Sequence, residues 1–428
     1  MQEPSSLAGD SSPRTASLYG WVIVATCLLM TFINYGLAYS YSVFFKPLAA
    51  HFQWDRASVS LIYSLAVIIR GAAAVGSGWL ADKYGARKTM VFCGLMMAIG
   101  YLLSSRVTNL WQFFLTYAVI EAIGMSGIFG IGSAMVARWF TRRPGLPMGI
   151  IASGAGLGTL LLVPACERLV NAVDWSQSFV IIGIAAGAIM VISALFLRNP
   201  PVEIAAAGKT TNNLKGASLG EALRDPRMWL ILASFLMFFF GTQMILVHLV
   251  NYATDVGIAP LQAATFVSVV GLVSIAGRLS TGVVSEKIGL YLTLILMCIS
   301  MMAAFIMLIF SRSPWAFYLF AILFGIPYGG EATQIPLVIA RFFGTRVMAT
   351  LLGVTVFIIG LGGALGPWLA GKIFDTTGSY NWAFIAGACA AAVSMIIIFI
   401  LQQRDKAQPT FSPDLPSTSA EEALDSTG

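Results

Sequence analysis

Charge is what this sequence has least of. Only 10% of its 428 residues are Asp, Glu, Lys or Arg, against 58% hydrophobic, and the mean hydropathy is +0.83. A soluble globular chain carries about a quarter charged residues. This one has too little polar surface to cover itself in water, which excludes a soluble enzyme or binding module. Histidine occurs only twice. The five cysteines (Cys27, Cys93, Cys166, Cys298, Cys389) all fall in apolar stretches without metal-ligand spacing. They read as small core residues, so neither a disulfide framework nor a metal or other cofactor is expected. No Asn-x-Ser/Thr acceptor is present, and no Gly-rich phosphate loop ends in Gly-Lys-Ser/Thr, so any work the protein does must draw on a gradient. The net charge of +6 is spread between apolar runs rather than gathered in one patch, which excludes a nucleic-acid partner.

Long apolar runs are what is there. A bilayer core takes about 20 apolar residues per helix. Runs of that kind are predicted at 19–45, 58–80, 89–105, 110–136, 147–166, 178–197, 228–252, 262–284, 290–311, 314–340, 348–371 and 380–402, numbered below as spans 1 to 12. The first follows a polar, Ser-rich leader and is too long for a signal-peptide core, so it is read as a span. The 42 glycines lie largely inside these runs, as close helix packing in lipid favours. The expected organisation is an N-terminal tail (1–17), a six-helix half (18–197), a polar linker (198–227), a second six-helix half (228–402) and a disordered tail (403–428).

The two halves repeat. "GWLADKYGARK" from Gly78 returns as "GVVSEKIG" from Gly282, a shift of 204, and "RWFTRR" from Arg138 returns as "RFFGTR" from Arg341, a shift of 203. Parallel repeats of this kind place a substrate site between halves near mid-membrane. Placing both termini in the cytoplasm leaves 17 of the 25 Lys and Arg on that side, 6 on the other, and Arg70 and Arg278 within spans. By the positive-inside bias, both termini are expected in the cytoplasm of a cell-membrane protein.

"GWLADKYGARK" matches the loop 2–3 signature of the major facilitator superfamily, with its weaker copy in loop 8–9. Within it, the chain resembles the monocarboxylate transporter family, and most closely its bacterial members. The resemblance is carried by "NYGLAYSYSVFFKPL", "RWFTRRPGLPMGI", "ASGAGLGTLLLVP", "HLVNYATDVGI", "SIAGRLSTG" and "GPWLAGKIFDTTGSYNWAF". It implies an all-α major facilitator fold of twelve helices around a central cavity, binding a small organic anion together with a proton. Two positions depart from the animal members, which carry a lysine where Tyr39 stands and an aspartate where Ser274 stands. Oxalate–formate exchangers, a neighbouring family, use a second cation in span 11, where this chain has no Lys or Arg between Leu351 and Gly371.

The buried charges are few: Arg70, Glu121, Arg278 and Glu331, with His248 near a span end. A charge at the centre of a membrane helix costs about 2.5–3.5 kcal/mol on insertion scales and marks a functional position by default. Arg278 is the candidate for a substrate carboxylate, because guanidinium offers a planar fork of donors and stays charged; a structural ion pair with Glu331 is the alternative. Arg70 and Glu121 are expected to pair with each other, the simplest remedy for two buried charges. Otherwise Arg70 is a second substrate cation or Glu121 a proton carrier. His248, Tyr252 and Asp255 share one helix face by their spacing. With Glu331, His248 and Asp255 are the candidates for proton coupling. Tyr39 and Tyr117 add phenolic donors on spans 1 and 4, which line the cavity in the superfamily, and are taken as substrate contacts. Gly78, Asp82, Lys83, Gly85, Arg87 and Lys88 form the expected gate, with Asp82 paired to its basic neighbours.

The expected protein is a monomer in the lipid bilayer that carries a small monocarboxylate of the lactate or pyruvate class with a proton by alternating access. Its alternatives are an organic-anion antiporter of the oxalate/formate type and a drug or cation exporter.

Overall fold

A computed structural model describes residues 13–54, 56–141, 143–200 and 216–407. The expected tails beyond these, most of the linker (with Lys209 and Lys215) and Arg142 lie outside the described residues. The chain is helical nearly throughout, and ten of its helices are long and apolar enough to cross a membrane. One of the ten, Gly145–Phe196, is two helices meeting at Asp174, whose φ of 75° is strongly disfavoured for a residue with a side chain. Pro314–Phe343 adds a further helix of 30 residues. The described residues thus contain twelve long helices: α1 (Pro13–Phe52), α2 (Arg56–Tyr84), α3 (Ala86–Ser104), α4 (Leu110–Trp139), α5 (145–173), α6 (175–196), α7 (Pro226–Asp255), α8 (Pro260–Ile288), α9 (Leu290–Phe310), α10 (Pro314–Phe343), α11 (Met348–Thr377) and α12 (Asn381–Ala407).

Several run beyond the predicted spans. Helix α1 begins at Pro13, inside the expected tail, and α12 ends at Ala407. In the linker, Ser218 and Glu221 form a reciprocal cap that starts a short helix, Leu219–Arg224. Helix α4 departs most from a regular rod. Its turns Phe114–Glu121 are π-helical, and it breaks again at Ser126 and Gly127, where φ is 68°.

Starts of odd helices and ends of even ones share one face. Tyr19 of α1 donates to the carbonyl of Phe196, and the indole of Trp139 donates to the carbonyl of Arg198. In the second half, Asp405 of α12 holds Tyr291 of α9 and Arg341 of α10. This is the termini face. Within the first half α1 packs on α5 and α3 on α6; within the second, α7 packs on α11, α8 on α10 and α9 on α12. The halves meet along α2 with α11 and α5 with α8.

Candidate functional site

The seam between the halves is tightest towards the termini face. A side chain on Gly78 of α2 would strike the Ala349 carbonyl of α11, and one on Gly145 would strike Gly282 of α8, whose own Cβ would strike Gly145 in return. Two carboxylates seal these approaches. Asp82, at the end of α2, accepts from the backbone amide (2.9 Å) and hydroxyl (2.8 Å) of Thr350 in the first turn of α11. It also pairs with Arg138 of α4 at 3.0 Å, both side chains being buried. Glu286, at the end of α8, accepts from the Gly145 amide in the first turn of α5 at 2.5 Å. In each case an acid meets the unsatisfied N–H groups and positive dipole end of a helix in the other half.

The residues expected to form a gate lie at this face, but their contacts differ from those expected. The partners of Asp82 are Arg138 and Thr350. Its sequence neighbours point outward: Lys83 lies 4.6 Å above the ring of Trp79, and Arg87 and Lys88 are exposed. Gly85 makes the α2–α3 turn at φ 98°. Glu286 was missed as a site residue, although it stands 204 positions after Asp82, in the repeated motif.

Away from the termini face the first half carries a cavity of about 520 Å³, lined by Tyr39, Tyr41, Phe45, Tyr63, Ser64, Thr159 and Val163 of α1, α2 and α5. Tyr39 is 45% exposed there, and its ring stacks on Tyr35 with centroids 6.4 Å apart. Arg278 comes in from α8 one turn below Thr159: its Nη1 lies 3.3 Å from where a side chain on Gly156 of α5 would begin. The same Nη1 donates to Ser274 Oγ at 2.7 Å, which donates in turn to the Gly271 carbonyl. The guanidinium also lies 5.7 Å from the ring of Tyr328 on α10. Arg278 is 7% exposed, its Nε has no hydrogen-bond partner, and among the described residues no carboxylate lies within ion-pair distance of it. A buried cation held only by a hydroxyl and an aromatic face is unsatisfied by its own protein.

Arg70 of α2 lies two turns from Tyr63 on the same helix face. Its Nη2 is 3.7 Å from Glu121 of α4, too far for a hydrogen bond, with side chains 18% and 0% exposed. Tyr35 lies within electrostatic reach of both Arg70 and Arg278.

The remaining candidates are dispersed. Tyr117 is 1% exposed in an aromatic cluster with Tyr41, Tyr101, Phe113 and Phe179, behind the residues that line the cavity. His248 is fixed between helices: Nε2 must donate to the Pro367 carbonyl of α11 (2.9 Å), which leaves Nδ1 facing the Tyr380 hydroxyl at 3.1 Å. Tyr252 turns away to the Leu308 carbonyl and Arg312, and Asp255 is exposed at the helix end. The shared face of these three residues does not become a cluster. Glu331 is 3% exposed in α10, with Oε1 unpartnered and its charge felt at Cys298 of α9, inside the second half.

Twelve long helices in two sets of six, packed most tightly at the termini face and carrying a buried arginine beside their seam, have the architecture of a membrane transporter. The chain matches the Major Facilitator Superfamily over residues 27–367 and belongs to that family. It is similar to monocarboxylate transporter 12 of Mus musculus, 27% identical over 89% of this chain and 85% of the relative. It is also similar to monocarboxylate transporter 13 of Bos taurus, 26% identical over 92% of each. These relatives are animal proteins, whereas the motifs resembled bacterial members more closely. Among solved structures it is similar to the E. coli fucose:proton symporter FucP (TM-score 0.69, 16% identity, 89% of this chain and 99% of that one). The proton:xylose symporter XylE is a second such fold (TM-score 0.69, 12% identity, 90% and 96%). The protein is a superfamily transporter related to monocarboxylate transporters, and not an enzyme.

Proposed function

We propose that the protein carries small monocarboxylates of the lactate or pyruvate class across the cell membrane together with a proton, with Arg278 receiving the carboxylate. The observation that carries this reading is the Arg278 guanidinium, buried against Gly156 one turn from Thr159 of the cavity lining, with no counter-charge within ion-pair distance among the described residues. A carboxylate arriving there adds a counter-charge where the protein supplies only the Ser274 hydroxyl, so most of the cost of the buried cation is offset only when substrate is bound. Ser274 orients the fork, while Tyr39 at the rim and Tyr35 beneath it offer phenolic donors to a hydroxy or keto group. With the termini in the cytoplasm, as the basic loops favour, the closed face is the inner one and the cavity opens outward. Asp82 and Glu286 then hold the outward-open state, and their release lets the halves rock. One anion with one proton crosses without moving net charge through low dielectric.

The test is uptake of labelled lactate, pyruvate, formate and oxalate into proteoliposomes, with and without an inward proton gradient. Lactate or pyruvate accumulation driven by the gradient is expected. Equal uptake in both conditions removes proton coupling, and a preference for oxalate replaces the monocarboxylate reading with dicarboxylate exchange.

A further inference from the structure

We propose that the Arg70–Glu121 pair is the proton-coupling element: Glu121 takes the proton, and its protonation releases Arg70 to the cavity as a second cation for the same carboxylate. This rests on the proton-coupled reading above. The pair is poorly made for a structural role. Its closest approach is 3.7 Å, Nε and Nη2 of Arg70 lack a hydrogen-bond partner, and the Tyr101 hydroxyl is the group nearest to bonding the Glu121 carboxylate. A permanent buried ion pair satisfies both partners, whereas this one leaves the Arg70 guanidinium ready for a different partner.

Arg70 has the access Glu121 lacks. It lies on the Tyr63 face of α2 and keeps 18% of its side chain exposed, while Glu121 is fully buried. The charged and titratable groups around the acid come from every helix packed on it: Arg70 and Tyr63 from α2, Tyr101 from α3, Tyr117 from α4, and Cys166 of α5 beyond Tyr101. Only Arg70 among them is a cation. Glu121 also ends the π-helical turns of α4, a distortion frequent at functional sites.

Linkage then follows. With Glu121 ionised, Arg70 is held by it and the cavity offers Arg278 alone. With Glu121 protonated, both arginines face one anion around Tyr35. Anion binding draws Arg70 from Glu121 and so favours the proton, and by reciprocity the proton favours the anion by the same factor. The balance closes. Empty, the two arginines and the ionised acid sum to one positive charge; loaded, two arginines, one carboxylate and a neutral acid give the same sum.

The experiment compares wild type and Glu121→Gln in proteoliposomes by three readouts: gradient-driven lactate accumulation, lactate counterflow, and the lactate-induced infrared difference spectrum. In Glu121→Gln, accumulation is expected to fall at least tenfold while counterflow, which moves no net proton, stays measurable and reports a folded protein. The protonated-carboxyl band that lactate induces in wild type is expected to vanish. Should the single variant not fold, the charge-balanced Arg70→Gln/Glu121→Gln double variant replaces it: accumulation and the carboxyl band are again expected to be lost, and counterflow, now without the second cation, is expected to need a several-fold higher lactate concentration. Wild-type coupling that persists in the variant, or an unchanged carboxyl band, overturns this inference alone. A wild type that shows no coupling overturns it together with the reading beneath it.

Discussion

Asp82 and Thr350 lie 268 positions apart, yet one carboxylate oxygen accepts from both the amide and the hydroxyl of that threonine, tying the end of α2 to the start of α11. The same carboxylate pairs with Arg138. Replacing Asp82 with Ala leaves that guanidinium buried and unpaired, a change worth about 3–5 kcal/mol. About 3 kcal/mol alone shifts a two-state equilibrium more than a hundredfold. The termini face is expected to open. A cysteine at Ala349, 2% exposed in the closed seam, should become reactive to impermeant maleimide from that face in a cysteine-free background. Unchanged labelling would remove the latch.

Glu286 should act in the same direction through α5. Glu286→Ala deletes the acceptor at the Gly145 amide, with no buried arginine to strand. Its labelling increase is expected to be the smaller of the two. A larger effect than that of Asp82→Ala would mean that the dipole end of α5, rather than the Arg138 pair, dominates closure.

Gly282→Leu tests closure by shape. The added side chain meets backbone of Gly145, which cannot yield as a flexible side chain can. The expected result is a folded protein, because the clash lies between halves, with transport reduced at least tenfold and the termini face permanently labelled. Wild-type turnover would show that the halves do not approach this closely during the cycle.

Arg278→Lys keeps the charge and loses the fork. Uptake at low substrate is expected to drop at least tenfold. Ser274→Ala keeps the fork but frees its orientation, so KM should rise several-fold with kcat nearly unchanged, the pattern of lost uniform binding. Equal activity of the lysine variant and wild type would remove the carboxylate from this site.

His248→Phe separates stability from coupling. The side chain ties α7 to Pro367 and Tyr380, and membrane hydrogen bonds average about 0.6 kcal/mol each. A fall in Tm of a few degrees is expected, with gradient-driven accumulation retained. Loss of coupling with Tm unchanged would make His248 the proton carrier instead.

Legibility followed the range of the interaction. The spans, the repeat and the Asp82 motif are local patterns in sequence, and a lone arginine in "SIAGRLSTG" stands out because lipid penalises it. The partners were hidden. Arg138 reaches Asp82 across 56 positions and Glu286 reaches Gly145 across 141, distances at which no periodicity operates. The repeat alone held the clue to Glu286. Tyr35 and Tyr63 read as ordinary aromatics in apolar runs, and only packing turns them towards the arginines. His248, Tyr252 and Asp255 share a helix face yet find separate surroundings, because a shared face says nothing of which neighbour each side chain meets.

The widened turns of α4 fall inside the stretch over which the duplication slips by one residue. Gly78 and its copy are 204 apart, but Arg138 and its copy only 203, and between them in the first half lie Phe114–Glu121. A π-turn consumes one residue more than an α-turn, and α10 is α-helical throughout. Counting forward from Glu121 by either shift lands on Phe324 or Gly325, neither of which can hold a proton. Deleting one residue from that stretch would bring the halves back into step and swing the acid by about 100° around its helix. The twin bundles are thus unlike at this depth, the first holding an ionisable group that the second lacks at the matching place.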